Sequence, residues 1–364
     1  MVEVNPDIQF KKELKRISKA PLNECMQCGS CSVVCSLAPD DKPFPRKEMV
    51  WAGWGMKNKL IANPDVWLCH QCGDCSTYCP RGVKPADVLS AVRQMTYIEY
   101  AIPRFMGKML QKPQWLPIAI LIPVAIISLI LILAGTFRIP EGPVDYSKFF
   151  PHGWLNVSFT FITLLSYMLA VIGLTRFIRD IREQFPELAG KGGIISELFR
   201  SMITILSHRR FSSCTTNRSR KWAHMLVMYG FILLLVVTVY AIVAALTHKY
   251  PLTLTNPFKM LGNLAAIMLF TGLIIMMINR LFNKKSLSSS NYSDWLLLIS
   301  LFLLTLSGVI VEMARFLDWS SAYHLYFGHL VCVWFVIIYL PYTKFGHTFY
   351  RLVAMSVADA AGRR

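Results

Sequence analysis

Charge is scarce in this chain. Asp, Glu, Lys and Arg together make up 16% of its 364 residues, against about a quarter in ordinary soluble domains, while 54% are apolar. That excludes an ordinary soluble protein over much of the length and implies a membrane portion. Acidic groups are the scarcer sign, 21 against 38 Lys and Arg, giving a formal charge of +17. The opening MVEVNPDIQFKKELKR has no apolar core of the kind a secretory signal needs, so the amino-terminal part is expected to stay on the side where it is made.

Against that background the cysteines stand out. Cys25, Cys28, Cys31 and Cys35, then Cys69, Cys72, Cys75 and Cys79, repeat one spacing, C-x2-C-x2-C-x3-C. This is the run that wraps a cubane iron–sulfur cluster, with the fourth cysteine crossing to the other cluster in two-cluster ferredoxins. Three thiolates in one turn cap three corners of a cube, and the fourth corner faces away and needs a remote sulfur. Crossed ligation predicts one [4Fe-4S] cluster on Cys25, Cys28, Cys31 and Cys79, and another on Cys69, Cys72, Cys75 and Cys35. Zinc sites use paired C-x2-C knuckles and disulfides need only an even count; neither explains a third cysteine at the same offset in both runs.

A shift of 44 residues lays CMQCGSCS onto CHQCGDCS, an internal repeat. His70, inside the second run, is expected to shield or hydrogen-bond a cluster. Residues 44 to 58 and 85 to 101 each open near a proline and carry apolar residues at helical spacing. A helical ferredoxin module over 1–110 is therefore expected, in place of the small β-rich one.

Six long apolar segments follow, at about 115–137, 154–178, 222–246, 260–281, 295–317 and 325–345, each with room for the roughly 20 residues that cross a bilayer as helix. The connections set the orientation. With residues 1–114 inside, the inner connections hold 15 Lys and Arg and the outer ones 4. The clusters are thus expected on the cytoplasmic side of the inner membrane, where a reducing milieu suits thiolate ligands. The positive charge belongs to this bias and to a basic inner surface, and does not indicate nucleic-acid binding.

Histidines at helix ends are the second signal. His224 near the inner start of the third span and His347 just past the inner end of the sixth share a depth, as two axial ligands of a b-type haem must. His329 lies 18 residues before His347, roughly 27 Å along a helix, which points to a second haem at the other face. His248 and His152 also fall at that outer face. Buried ionisable groups in spans are costly and tend to be functional, although a single interfacial histidine is more often an anchor.

Together these residues carry a resemblance. The cluster part resembles the C subunit of heterodisulfide reductase, and the membrane part resembles the E subunit of that enzyme and the cytochrome b subunit of respiratory nitrate reductase. Their fusion is similar to the C subunit of the quinone-interacting membrane-bound oxidoreductase complex. The stretch from His329-Leu330-Val331 to Phe345-Gly346-His347 is similar to the last span of the nitrate reductase cytochrome, where both histidines ligate haem. The resemblance gives His224 the inner-haem role and puts Lys259, in Asn256-Pro257-Phe258-Lys259, at a quinol pocket. The nitrate reductase cytochrome has a further histidine where this chain has Leu234, so the outer haem is expected on His329 with His248, or with His152. The first span is extra to a five-helix core and is expected to tether the cluster domain.

Glu312 and Arg315 could relay quinol protons or form an ordinary i,i+3 ion pair. His208 and Cys214 in a basic loop do not make a closed metal site. Residues 194–206 have one apolar face, as an interfacial helix does, with Arg209, Arg210 and the group from Arg218 to Lys221 expected to anchor it to anionic lipid.

The reading is an all-α protein: a helical two-cluster ferredoxin domain (1–110), a first span and outer loop (111–150), a five-helix haem b domain of cytochrome b type reactive with quinone (151–350), and a tail (351–364). It would pass electrons between menaquinol or menaquinone and cytoplasmic partners through two haems and two clusters. The resemblance implies heterodisulfide-reductase-like flavin and iron–sulfur partners and, by analogy, adenylylsulfate reductase in sulfate respiration. A heterodisulfide- or sulfite-linked reductase, or a redox-sensing membrane anchor, is the alternative.

Overall fold

A computed structural model describes residues 5–40, 42–188, 194–213, 218–247, 253–282 and 289–362; His248 and Cys214 lie outside these. Among the described residues there is no strand. The amino-terminal domain is built on three helices, α1 (Ile8–Ser18), α2 (Arg46–Trp54) and α3 (Pro85–Tyr100), with short turns of helix between them. Asp7 caps α1 by accepting from the Phe10 N–H at 2.8 Å, and Pro85 opens α3 at its first turn, where a missing N–H has no cost.

The rest of the chain is α4 (Leu116–Leu133), α5 (His152–Gln184), α6 (Ile194–Leu206), α7 (Arg218–Leu246), α8 (Pro257–Phe282), α9 (Tyr292–Phe316), α10 (Ala322–Ile338) and α11 (His347–Ala360). Five of these, α4, α5, α7, α8 and α9, are long and apolar enough to cross a membrane. Their outward faces expose Leu121, Phe161, Leu235, Ile267 and Leu303, and backbone polar groups satisfied within each helix are what a lipid surrounding requires.

The sixth expected span differs. α10 has 17 residues, roughly 25 Å of helix against a hydrocarbon core of about 30 Å. The chain then breaks into two 3-10 turns, Leu340–Tyr342 and Lys344–Gly346, before α11 begins. Pro341 explains the break, because it has no N–H to return to the Ile337 carbonyl, which accepts from Ser166 Oγ at 2.7 Å instead. His329 and His347 therefore do not share one continuous helix.

α11 takes up most of the stretch expected as a tail. Tyr350, Ala354, Met355, Val357 and Ala358 join the same core as Leu14, Leu60, Trp67 and Leu89 of the amino-terminal domain, and Phe177 and Ile181 from the end of α5 complete it. Trp67 stacks on Tyr350 with ring centres 5.2 Å apart. Polar ties follow the same seam: Tyr100 donates to Asp180 at 3.1 Å, Asn291 to Gln94 at 2.9 Å and Tyr342 to the Ile102 carbonyl at 2.6 Å. α4 does more than tether, since Ile127 and Leu131 are buried with Leu330, Val331 and Trp334 of α10.

Candidate functional site: two cysteine runs and a histidine pair

The 44-residue repeat is a repeat of backbone. Gly29 and Gly73 take φ of +84° and +94° and start the short helices Ser30–Val33 and Asp74–Thr77; Gln27 and Gln71, two residues earlier, take +59° and +56°. Glycine enters this left-handed region without steric cost, which lets each run turn tightly between its second and third cysteines. Sulfurs accept hydrogen bonds from the same loops: Cys25 from Gln27 Nε2 at 3.2 Å, Cys69 from the Gln71 N–H at 3.3 Å and Cys79 from the Val83 N–H at 3.4 Å.

The fourth cysteine of each run stands with the first three of the other. One pocket is lined by Cys25, Cys28, Cys31 and Cys79. Burial pushes the Cys31 thiol up to about 11, with Cys25, Cys28 and Cys79 adding to the rise. Cys35 is pushed up to about 12, chiefly by burial, with Cys69 and Cys72 adding; Cys75 is raised by burial, then by Cys69, Cys72 and Cys35. Among the described residues no three His, Cys, Asp or Glu side chains converge as a single metal ion requires. Four cysteines around one pocket fit the corners of a cube, and binding iron offsets the cost of ionising buried thiols.

His224 and His347 come together from α7 and α11, ring centres 6.1 Å apart and planes 83° to one another. Metal–nitrogen bonds of about 2 Å on opposite sides of one ion put imidazole centres on the order of 6 Å apart. The Nδ1 atoms are engaged elsewhere: His347 Nδ1 lies 2.7 Å from the Lys344 carbonyl, and His224 Nδ1 lies 2.8 Å from His208 Nε2. His208 Nδ1 in turn faces the Leu206 carbonyl at 3.1 Å. A carbonyl only accepts, so His208 carries its proton on Nδ1; burial keeps it neutral by lowering its pKa. Its Nε2 must then accept from His224, which leaves His224 Nε2 with a free lone pair. The residues present would suit a pair of imidazole ligands to one metal, and His208, read from sequence as an isolated loop histidine, orients one of them. A Cβ on Gly272 would fall 2.7 Å from the Ala223 carbonyl, so that glycine allows α8 to approach α7 beside His224.

Aromatic rings join the pair to the second cysteine run. His70 packs on Phe211 at 4.6 Å, and Phe211 lies 5.8 Å from His224. Three arginines hold the loop that carries His70. Arg351 donates to the Cys69 carbonyl at 2.6 Å and to His70 Nδ1 at 3.0 Å; Arg220 donates to the Gln71 carbonyl at 3.0 Å; Arg93 donates to the carbonyls of Val66 and Cys69 and to Gln71 Oε1. Arg220, expected at the lipid surface, is instead turned onto the protein. Arg210 likewise pairs with Asp359 of α11 at 3.0 Å.

At the opposite end of the bundle, Lys259 Nζ and Glu312 Oε1 lie 3.1 Å apart, with Asn263 Nδ2 3.4 Å from the same oxygen. Glu312 thus pairs across helices with Lys259, and the i,i+3 pairing with Arg315 is not the contact formed. His329 Nδ1 faces Ser307 Oγ at 2.9 Å, and its ring packs over Gly308. His152 opens α5.

Fold and site together define an all-helical iron–sulfur protein with apolar helices of membrane-spanning length. Residues 21–83 match the 4Fe-4S dicluster domain, which holds two [4Fe-4S] clusters. Residues 109–364 match the family described as citrate utilization protein B, and the chain belongs to that family. It is 27% identical to citrate utilization protein B of Escherichia coli over 351 residues, 91% of this chain and 88% of that one. The amino-terminal part is 36% identical over 90 residues, 24% of this chain, to a protein of Archaeoglobus profundus described as like the C subunit of heterodisulfide reductase. It is 34% identical over 92 residues to the C subunit of the H(2):CoB-CoM heterodisulfide,ferredoxin reductase of Methanothermobacter marburgensis. The chain spans about half the length, 48%, of each of these two relatives.

Proposed function

We propose that this chain is the membrane subunit of an oxidoreductase complex, carrying electrons between a quinone in the bilayer and a partner protein on the cytoplasmic side. The observation that carries this reading is the meeting of His224 and His347 within 6.1 Å, one ring away from the cysteine loop of His70. Cys25, Cys28, Cys31 and Cys79 would hold one [4Fe-4S] cluster, and Cys69, Cys72, Cys75 and Cys35 the other. His224 and His347 would hold haem b, with His329 offering a ligand for a second haem toward the far end. These groups supply one-electron transfer when bound.

The chain's own residues supply binding and proton handling. Lys259 Nζ has three donors, so it can keep Glu312 and still donate to a quinone carbonyl; that bond strengthens as the oxygen gains charge. Glu312 can accept the proton a quinol must lose. Met260, exposed at the start of α8, offers apolar wall for an isoprenoid tail. At the other end Cys28 is exposed, with Met26, Val33, Trp54 and Tyr78 exposed around the amino-terminal domain. This is the face a redox partner would cover.

The similarity to the C subunits of heterodisulfide reductases supports partners of that flavin and iron–sulfur type, and the sulfate-respiration setting with adenylylsulfate reductase rests on resemblance alone. A second reading has a specific observation in its favour. A relative aligned over 91% of this chain is named for citrate utilization, so the partner's substrate could be a citrate-like acid.

The test is haem spectroscopy on chain purified anaerobically from membranes. The expected result is a low-spin bis-histidine signal lost in both His224→Ala and His347→Ala, with iron–sulfur content retained. Spectra free of haem in the unaltered protein, or indifferent to both substitutions, would refute the assignment.

A further inference from the structure

We infer that Arg220 and Arg351, with Arg93, form an electrostatic clamp that seats the second cluster's loop on the helices of the histidine pair and gives that cluster the higher reduction potential. This rests on the proposed ligand sets. Arg220 stands four residues before His224 on α7, and Arg351 four residues after His347 on α11. Residues at that separation share a helix face, one turn apart. Each helix thus presents one imidazole and, one turn toward the amino-terminal domain, one guanidinium.

Both guanidinium groups reach the same three-residue loop. The carbonyls of Cys69 and Gln71 and the ring nitrogen of His70 all accept from Arg220 or Arg351, and Arg93 adds a second bond to the Cys69 carbonyl. Arg351, with one nitrogen on the Cys69 carbonyl and the other on His70 Nδ1, fixes the loop in two directions, which a lysine cannot do. The clamp therefore sets the distance between the Cys69–Cys75 run and the histidine pair.

The charge has a second consequence. Among the described residues none of the three arginines appears in an ion pair within 4.0 Å of a carboxylate, whereas Arg210, Lys47 and Lys344 nearby all do. Cations drawn partly out of water without a carboxylate are costly, Arg93 being buried and Arg220 and Arg351 half-buried, and an anion at the loop offsets that cost. A cluster bound by four thiolates is net negative, and reduction adds one more negative charge. Cations held close favour the reduced form and raise the potential. The first run is set differently: Arg46 and Arg81 line its pocket, but among the described residues neither guanidinium donates to a carbonyl of its loop, and Cys28 is exposed, where solvent screens their charge. Electrons entering at the exposed cluster would fall to the clamped one beside the histidines.

The experiment is a redox titration followed by electron paramagnetic resonance on the full chain in detergent, with iron and sulfide assayed on the same samples. Cys75→Ser identifies the second cluster's signal. Arg220→Gln and Arg351→Gln should each lower that signal's equilibrium electron affinity about tenfold, which is about 59 mV for a one-electron couple, and leave the first cluster unmoved. Lysine at the same positions should keep the potential, because it keeps the charge. Full clusters with unmoved midpoints in the glutamine variants overturn the proposal, as does a shift shared equally by both clusters. Loss of the cluster in the lysine variants overturns the electrostatic role and leaves the arginines a structural one. A wrong ligand assignment shows separately, in the iron and sulfide content of Cys75→Ser.

Discussion

Glu48 shows how one residue sets a pH limit. Its side chain is fully buried, accepts from Asn63 Nδ2 at 2.7 Å and keeps Oε2 without a hydrogen-bond partner. Burial raises its pKa from 4.5 to about 7, and the neighbouring Asp65 adds to the rise while Lys47 opposes it. A carboxyl whose folded pKa lies above its unfolded one stabilises the fold below the unfolded value and loses that contribution as pH rises through the folded value. Between pH 4.5 and about 7 the loss is on the order of 3 kcal/mol. Glu48→Gln, which keeps the Asn63 bond and never ionises, should remove this slope. Thermal unfolding of the cluster-loaded chain across pH 5.5 to about 8 checks it, and parallel pH profiles for the two proteins would show that Glu48 does not govern acid-side stability.

At the scale of elements, the cysteine runs and the histidine pair were legible for different reasons. Ligand offsets are local, so C-x2-C-x2-C-x3-C reads directly; the repeat reappears in Gly29 and Gly73 at positive φ. His224 and His347 were legible because two helix starts that present imidazoles at one depth can meet. The arginines were not, because a basic group flanking a span reads the same whether it faces headgroups or a protein loop. Only the i−4 and i+4 placement of Arg220 and Arg351 about the histidines carried a signal. The helix break at Pro341 was hidden by apolar residues on both sides of it, and α11 read as a tail because its buried face meets residues nearly three hundred positions away. The crossing of the runs yields a prediction at this scale. Cys35→Ser should abolish the same paramagnetic signal as Cys72→Ser, and Cys79→Ser the same as Cys28→Ser; if Cys35 matches Cys28, the runs hold their clusters without crossing.

Taken whole, the molecule sets its candidate redox groups in order from the amino-terminal domain to the far end of the bundle. Exposed Cys28 lies at one end, the second run and the histidine pair follow, His329 lies beyond them on α10, and the Lys259–Glu312 pair closes the far end of the bundle. The proposed function makes that pair the place where quinone meets the chain. A lysine outside any binding site would only extend toward the headgroups, but Lys259 is held back by Glu312 and is about one-quarter exposed. A hydrogen bond to a charged group is worth about 1.5–3 kcal/mol, so losing one that forms mainly in the transition state should slow the reaction roughly ten- to a hundredfold. Lys259→Ala should therefore slow reduction of the redox groups by a menaquinol analogue by that factor while reduction by dithionite stays at the rate of the unaltered chain. Glu312→Gln should keep quinone binding and slow the same step, with the deficit smallest at high pH, where water takes the proton more readily. Unchanged menaquinol rates and inhibitor affinity in Lys259→Ala, with cofactors intact, would remove this end of the bundle from the reaction and turn attention to the histidine pair itself as the site of quinone contact.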